Sequence, residues 1–205
     1  MLERLRQWDI PVVLFAREEL PPGLFDYIGI DNVAGGRMAV EHLLERGHRR
    51  IAFIGGSPQS SVWKARRAGY GDALRTAGIE VDDTLLVPSA TTRQGGRMAA
   101  KRVLQQPNPP TALFCYNDVV AFGAMLGLKE EGIVPGRDIA VVGFDNIQES
   151  GLFQPPLTTV AAFPEKIGAC AARRLHERMK GDDGEPKRTI LHPELVIRQS
   201  SGKRE

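Results

Sequence analysis

Apolar runs of strand length alternate with longer segments of helical period along most of this chain, and that alternation limits the fold more than any other feature. The runs are residues 11–16, 27–30, 51–55, 85–87, 112–116 and 139–144, and their near-continuous Val, Ile, Leu and Phe character suits strands covered on both faces. Between and after them lie the helical segments 33–46, 62–77, 94–105, 119–131 and 165–180. In the first helix Val33, Val40, Leu43 and Leu44 share one face, and Gly47 stands where a C-terminal cap is needed; Gly78 and Gly132 repeat that role. Repeated βα units predict an α/β fold with a parallel sheet. Residues 181–186 read as a polar surface connection, and 189–198 return to a strand-like pattern broken by Pro193. Residues 1–8 read as the last turns of a helix feeding the first strand, so the chain is expected to begin inside a domain.

A length of 205 residues with 42% hydrophobic content suffices for one large domain or two small ones. The 27 basic and 25 acidic residues are interspersed and leave a net charge of only +2, which is no electrostatic footprint for a phosphate backbone. Nucleic-acid binding by this chain alone is therefore not expected. Cys115 and Cys170 lie in apolar segments outside any CxxC or Cys/His cluster and read as core thiols of a cytoplasmic protein. His42, His48, His176 and His192 lack partners at metal-ligand spacing, so no metal is expected. No apolar run reaches the length of a membrane span, and residues 1–6 lack the apolar stretch of a secretory signal.

Enzymatic signatures are missing too. Gly55-Gly56-Ser57 follows a strand but does not continue as GxGxxG, and neither a phosphate-binding GxxxxGK[ST], a GxSxG elbow nor an HExxH occurs. No catalytic residue and no cofactor are assigned. What remains is a series of polar residues placed directly after strands, where ligands collect in an open parallel sheet. These are Asp31-Asn32 after 27–30, residues 57–61 followed by Arg66 after 51–55, Asn117-Asp118 after 112–116, and Asp145-Asn146 after 139–144. Asp31, Asn32, Asn117 and Asp118 stand just before helices, so N-capping competes with ligand contact at each. Asp145 is followed by no helical pattern, and its carboxylate is freer to accept hydrogen bonds from a ligand. Arg66 sits beside Lys64 and Arg67, where a solvated helix charge is the alternative to a ligand contact.

Several segments resemble the LacI/GalR family of bacterial transcription regulators. They are Asp31-Asn32 through Gly36, Val40-Glu41-His42-Leu43, the run from Arg46 to Gly56, Arg66-Arg67-Ala68-Gly69-Tyr70, Pro110-Thr111-Ala112-Leu113-Phe114, Asn117-Asp118 with Ala121-Phe122-Gly123-Ala124, and the run from Asp138 to Asp145. Pro155-Pro156-Leu157-Thr158-Thr159-Val160 is the most distinctive of them. The resemblance implies two Rossmann-like parallel-sheet subdomains of the type I periplasmic-binding-protein fold, with the effector held in the cleft between them and the N-terminal subdomain incomplete. It divides the chain into residues 1–46 with 161–180, and residues 47–160 with 181–205. It further implies effector contacts from Arg66, Asn117 and Asp145, with Asp118, Ser60, Tyr116, Thr91 and Asp31 as further candidates. A guanidinium and a carboxylate together fix neighbouring hydroxyls or ring nitrogens through charge-assisted hydrogen bonds.

This sequence departs from the family in two places. Many members carry a large aromatic at the position of Thr91, whereas Ala90-Thr91-Thr92 offers none, so Tyr116, Trp63 or Phe144 is expected to supply the apolar wall. The helix-turn-helix, the hinge helix and about two βα units that precede this region in the family are also missing from the sequence. The resemblance thus implies the effector-binding and dimerisation part of a repressor, a homodimer that meets operator DNA only through the absent module. A carbohydrate is the favoured effector, with a purine or other metabolite second. A periplasmic sugar-binding protein of a transporter and a small-molecule enzyme are the alternatives.

Overall fold

The computed structural model describes residues 4–5, 8, 10–16 and 23–202. Much of the helix expected over residues 1–8 lies outside the described residues. The chain divides into two units, Met1–Asp31 with Phe163–His192, and Asn32–Ala162 with Pro193–Glu205.

The smaller unit holds a parallel sheet in which β2 (Asp26–Ile30) runs between β1 (Val13–Phe15) and β8 (Arg188–Leu191). Its helix, Pro164–Met179, starts on Pro164, whose fixed φ suits the first helical turn. Ile28, Ile30 and Ile167 form its core, with Val13, Cys170 and Leu191 packed around them. Asp26 is buried at the start of β2, where Arg178 Nε at 2.6 Å, the Lys187 N–H at 2.7 Å and Arg174 Nε at 2.9 Å surround it. Burial alone would raise its pKa, but these donors hold it below the usual carboxylate range.

The larger unit is doubly wound. Its sheet runs in the order β4 (Leu86–Val87), β3 (Ile51–Ile54), β5 (Ala112–Cys115), β6 (Ala140–Asp145), β7 (Thr158–Ala161) and β9 (Glu194–Val196), parallel except for β9. The helices are α1 (Asn32–Glu45), α2 (Ser61–Thr76), α3 (Arg93–Leu104), α4 (Asp118–Glu130) and the short α5 (Glu149–Leu152). Successive strand residues supply opposite faces. Ile51, Phe53, Ala112, Phe114 and Val142 join the core under α1 and α2, while Ala52, Ile54, Leu113, Cys115 and Val141 join the core under α3 and α4. That double coverage is why the strands read as continuous apolar runs.

The boundary between the units differs from the expected one at both ends. Residues 32–46 were expected with the N-terminal part, yet α1 packs on α2 and on the larger sheet through buried Ala39, Val40 and Leu43. Residues 181–192 were expected with the C-terminal part, yet β8 pairs with β2. Only the last strand and the turn after it join the larger unit. There Ser200 Oγ donates to the Val141 carbonyl at 2.6 Å, and Ser201 Oγ bonds Thr158 Oγ1 at 2.7 Å and His42 Nε2 at 2.8 Å.

Contact between α1 and α2 depends on Gly69. A Cβ there would lie 2.0 Å from the Val33 carbonyl oxygen and 2.6 Å from the Arg37 nitrogen, so any side chain forces the two helix backbones apart. Gly69→Ala is expected to lower stability by about 3 kcal/mol, the upper part of the range for overpacking. A urea unfolding curve with a lowered midpoint and unchanged slope is the check.

Candidate functional site

The sheet order places β4 on one side of β3 and β5 on the other, so consecutive connections leave in opposite directions between β3 and β5. A crevice opens at the carboxyl ends of strands at such a switch point. Arg66, on the second turn of α2, enters this region because Gly69, three residues later, lets α2 lie directly on α1.

Arg66 is buried and its guanidinium is held on several sides. Its Nε donates to Asn32 Oδ1 at 2.9 Å, its Nη1 donates to the Tyr116 carbonyl, and its Nη2 lies 3.4 Å from Asp145 Oδ1. The guanidinium carbon stands 3.4 Å from the centroid of the Phe144 ring and 5.0 Å from that of Tyr116, within cation–π range. Burial lowers the Arg66 pKa, and Asp145 opposes the shift. A residue read as facing a cleft is thus the anchored floor of the site.

Asp145 is the accessible half of the pair. Its side chain is 36% exposed against 7% for Arg66, and no hydrogen bond to its Oδ2 is seen among the described residues. Asp145 and Asn146 adopt φ values of 110° and 53°, backbone that disfavours L side chains and that clusters at ligand sites. Surrounding protein raises the Asp145 pKa, and the Arg66 charge opposes that rise. An exposed acceptor beside a buried, oriented cation can hold adjacent hydroxyls.

The other expected residues are distributed differently. Asn117 caps α4, its Oδ1 accepting from the Val120 N–H at 3.0 Å, which leaves its amide nitrogen as the group able to meet a ligand. Tyr116 is mostly buried and contributes its carbonyl and ring to Arg66. Ser60 is half-buried at the start of α2 and makes no side-chain capping bond. Thr91 is exposed, one residue before Thr92, which caps α3. Asp31 directly follows β2 in the smaller unit, where its N–H donates to the Leu191 carbonyl at 2.9 Å.

Asp118 does not face a ligand. It is fully buried, and its carboxylate accepts from Thr159 Oγ1 at 2.5 Å, Ser150 Oγ at 2.7 Å and the Ile147 N–H at 2.9 Å. Burial raises its pKa to about 6 despite those donors. Phe144 is likewise fully buried and supports the guanidinium, which removes it as a ligand-facing wall and leaves the edges of Trp63 and Tyr116, each 7% exposed. Asn32 is a further contributor: its place before a helix suits a cap and assigns it no site role, yet its Oδ1 accepts from Arg66 Nε. Among the described residues, no helix is long and apolar enough to cross a membrane and no cluster of three or more His, Cys, Asp or Glu has metal-binding geometry.

Comparison with known proteins places this geometry. The model of the periplasmic binding protein-like domain matches residues 40–201. The HTH-type transcriptional repressor CytR of Escherichia coli (strain K12) is 35% identical over 195 residues, which cover 95% of this chain and 57% of the repressor. The structure of the transcriptional regulator CelR in complex with cellobiose superposes with a TM-score of 0.92 and 34% identity, over 97% of this chain and 61% of that one. A LacI family regulator from Enterococcus faecium with bound ribose superposes with a TM-score of 0.90 and 27% identity, over 99% and 75%. The chain therefore spans little more than half the length of CytR, and these relatives favour a regulator over a transporter component. On the matched domain, the sequence identity and the shared fold together, this chain belongs to the LacI family of transcriptional regulators and forms their effector-binding, periplasmic-binding-protein-like region.

Proposed function

We infer that this chain senses a small carbohydrate at the carboxyl edge of the larger unit's sheet, as the effector-binding part of a homodimeric cytoplasmic repressor. The observation that carries the reading is the pairing of a half-exposed Asp145 carboxylate, on left-handed backbone, with an Arg66 guanidinium fixed by Asn32 and Tyr116. Asp145 accepts from sugar hydroxyls, Arg66 orients the carboxylate and supplies positive charge behind it, and the Asn117 amide adds a donor nearby in sequence to Tyr116. The cellobiose and ribose held by two structurally similar regulators support the ligand class. The arrangement is one of recognition, with no catalytic step assigned to it. In the whole protein, effector and operator binding are linked, so a ligand that alters operator affinity has its own affinity altered by the same factor.

A thermal-shift screen of mono- and disaccharides, with nucleosides and purines as the comparison group, tests the ligand class. A sugar is expected to raise the melting temperature, since ligand at about 100 times its Kd adds about 2.7 kcal/mol of stability. A shift confined to purines or nucleosides would replace the carbohydrate assignment, and no shift from any compound would oppose the sensing role.

A further inference from the structure

Asp118 has no task at the ligand, yet its buried carboxylate collects donors from β7, from α5 and from the segment that follows β6. Gly143 on β6 makes room for it, because a Cβ there would lie 2.2 Å from Asp118 Oδ1. The same Thr159 hydroxyl that donates to Asp118 accepts from the Asn146 N–H at 3.3 Å, and the next amide, that of Ile147, donates to Asp118 directly at 2.9 Å. Arg198 completes the restraint by donating Nη2 to Asn146 Oδ1 at 2.9 Å. Asp145 and Asn146 are the two residues whose φ of 110° and 53° needs restraint from outside, since left-handed backbone is unfavourable for L residues unless surrounding contacts fix it.

We propose that Asp118 is a positioning residue for the effector site: through Thr159 and the Ile147 amide it fixes the Asp145-Asn146 turn, and thereby keeps the Asp145 carboxylate beside Arg66. Its consequence for ligand affinity rests on the carbohydrate-sensing role inferred above, but its consequence for the Asp145–Arg66 pair does not. Without the hydrogen-bonded path from Asp118 through Thr159 to Asn146, the turn relaxes toward ordinary backbone and the carboxylate swings away from the guanidinium.

The test is a carbon-13 carboxyl NMR titration of Asp145 in the ligand-free 205-residue chain, comparing the unaltered protein with Thr159→Val and Thr159→Ser. Thr159→Val breaks both hydroxyl bonds without adding or removing an ionisable side chain. It is expected to raise the Asp145 midpoint by about one pH unit, because the carboxylate loses its neighbouring cation. Thr159→Ser retains the hydroxyl and is expected to retain the midpoint. A role in stability alone would lower the melting temperature of Thr159→Val and leave the Asp145 midpoint in place, and that result overturns the proposal. If Thr159→Val does not fold, Thr159→Ala, which breaks the same two hydroxyl bonds with a smaller side chain, takes its place: a rise in the midpoint supports the proposal and an unmoved midpoint overturns it. Calorimetry with cellobiose and D-ribose extends the test to binding, with about tenfold weaker affinity expected for Thr159→Val and none lost in Thr159→Ser. If the unaltered chain binds neither sugar, the ligand class fails, while the carboxyl titration still decides the positioning role.

Discussion

Replacing Asp118 with alanine is expected to destabilise the protein by about 3–5 kcal/mol, the range for leaving several buried partners of one charged group unsatisfied. The Ile147 N–H and the Ser150 and Thr159 hydroxyls all end on this carboxylate, and the two hydroxyls belong to residues with no exposure to water. Alanine removes the acceptor and leaves a void among them. Asparagine is expected to cost much less, since its oxygen can serve Ile147 and Ser150 while the Thr159 hydroxyl turns to accept from the amide.

The asparagine variant also exposes a pH effect. His42 is buried against Ser201, and desolvation, aided by Arg46 and His48, pushes its pKa from 6.5 down to about 4. The unfolded chain therefore takes up this proton first, and stability is lost as pH falls from about 6.5 to about 4, by about 3 kcal/mol in total. Asp118 acts in the opposite sense. With its pKa raised from 3.8 to about 6, the folded state takes up the proton first, so the stability linked to it is present at low pH and lost as pH rises through about 6. The two slopes nearly cancel in the unaltered chain between about pH 4 and 6. Asp118→Asn leaves the His42 slope alone, and urea midpoints across that window should fall with acid much more steeply than in the parent. Parallel profiles would show that Asp118 does not take up a proton there.

Arg66→Ala is the second large effect. Removing the guanidinium abandons Asn32 Oδ1, the Tyr116 carbonyl and Asp145, and strips the cationic partner from the Phe144 ring. A loss of about 3 kcal/mol in stability is expected together with weakened sugar binding. Arg66→Lys should recover little of either, because a single ammonium cannot serve acceptors spread around a planar fork. Urea unfolding and calorimetry on the same variants separate the two losses; an Arg66→Ala chain as stable as the parent would mean that the guanidinium is not the floor of the site. Sequence offers Arg66 as a ligand contact or a solvated helix charge, and its burial makes it a structural anchor as well.

Much of this architecture was legible because the larger unit is covered on both faces. Double coverage produces the unbroken apolar runs at 51–54 and 112–115, and glycines after α1, α2 and α4 punctuate them. Strand β7 escaped as an element because Thr158 and Thr159 are polar residues buried through hydroxyl bonds, to Ser201 and Asp118 respectively, a pattern that periodicity does not register. The division between the units escaped for a related reason: which sheet claims α1 or β8 depends on long-range pairing, and neither Asn32 nor Arg188 signals its partner locally. At the site, position after a strand drew attention to Arg66 and Asp145, which the structure brings within 3.4 Å of each other. Sequence separates Asp145 from Asp118 only in that no helical pattern follows Asp145; that Asp118 is a fully buried acceptor and Asp145 a partly exposed one follows from three-dimensional packing.

Calorimetric titration of the unaltered chain and of Asp145→Asn with cellobiose and D-ribose tests the central claim most directly. Asp145→Asn keeps the shape of the side chain but removes the counter-charge 3.4 Å from the buried Arg66, so urea unfolding of the variant accompanies the titration to separate lost stability from lost binding. The account predicts that the unaltered chain binds at least one of these sugars, and that Asp145→Asn weakens that binding by about ten- to a hundredfold, the loss expected of a charge-assisted hydrogen bond. Equal affinity in the two proteins, or no binding of either sugar by the unaltered chain, would contradict it.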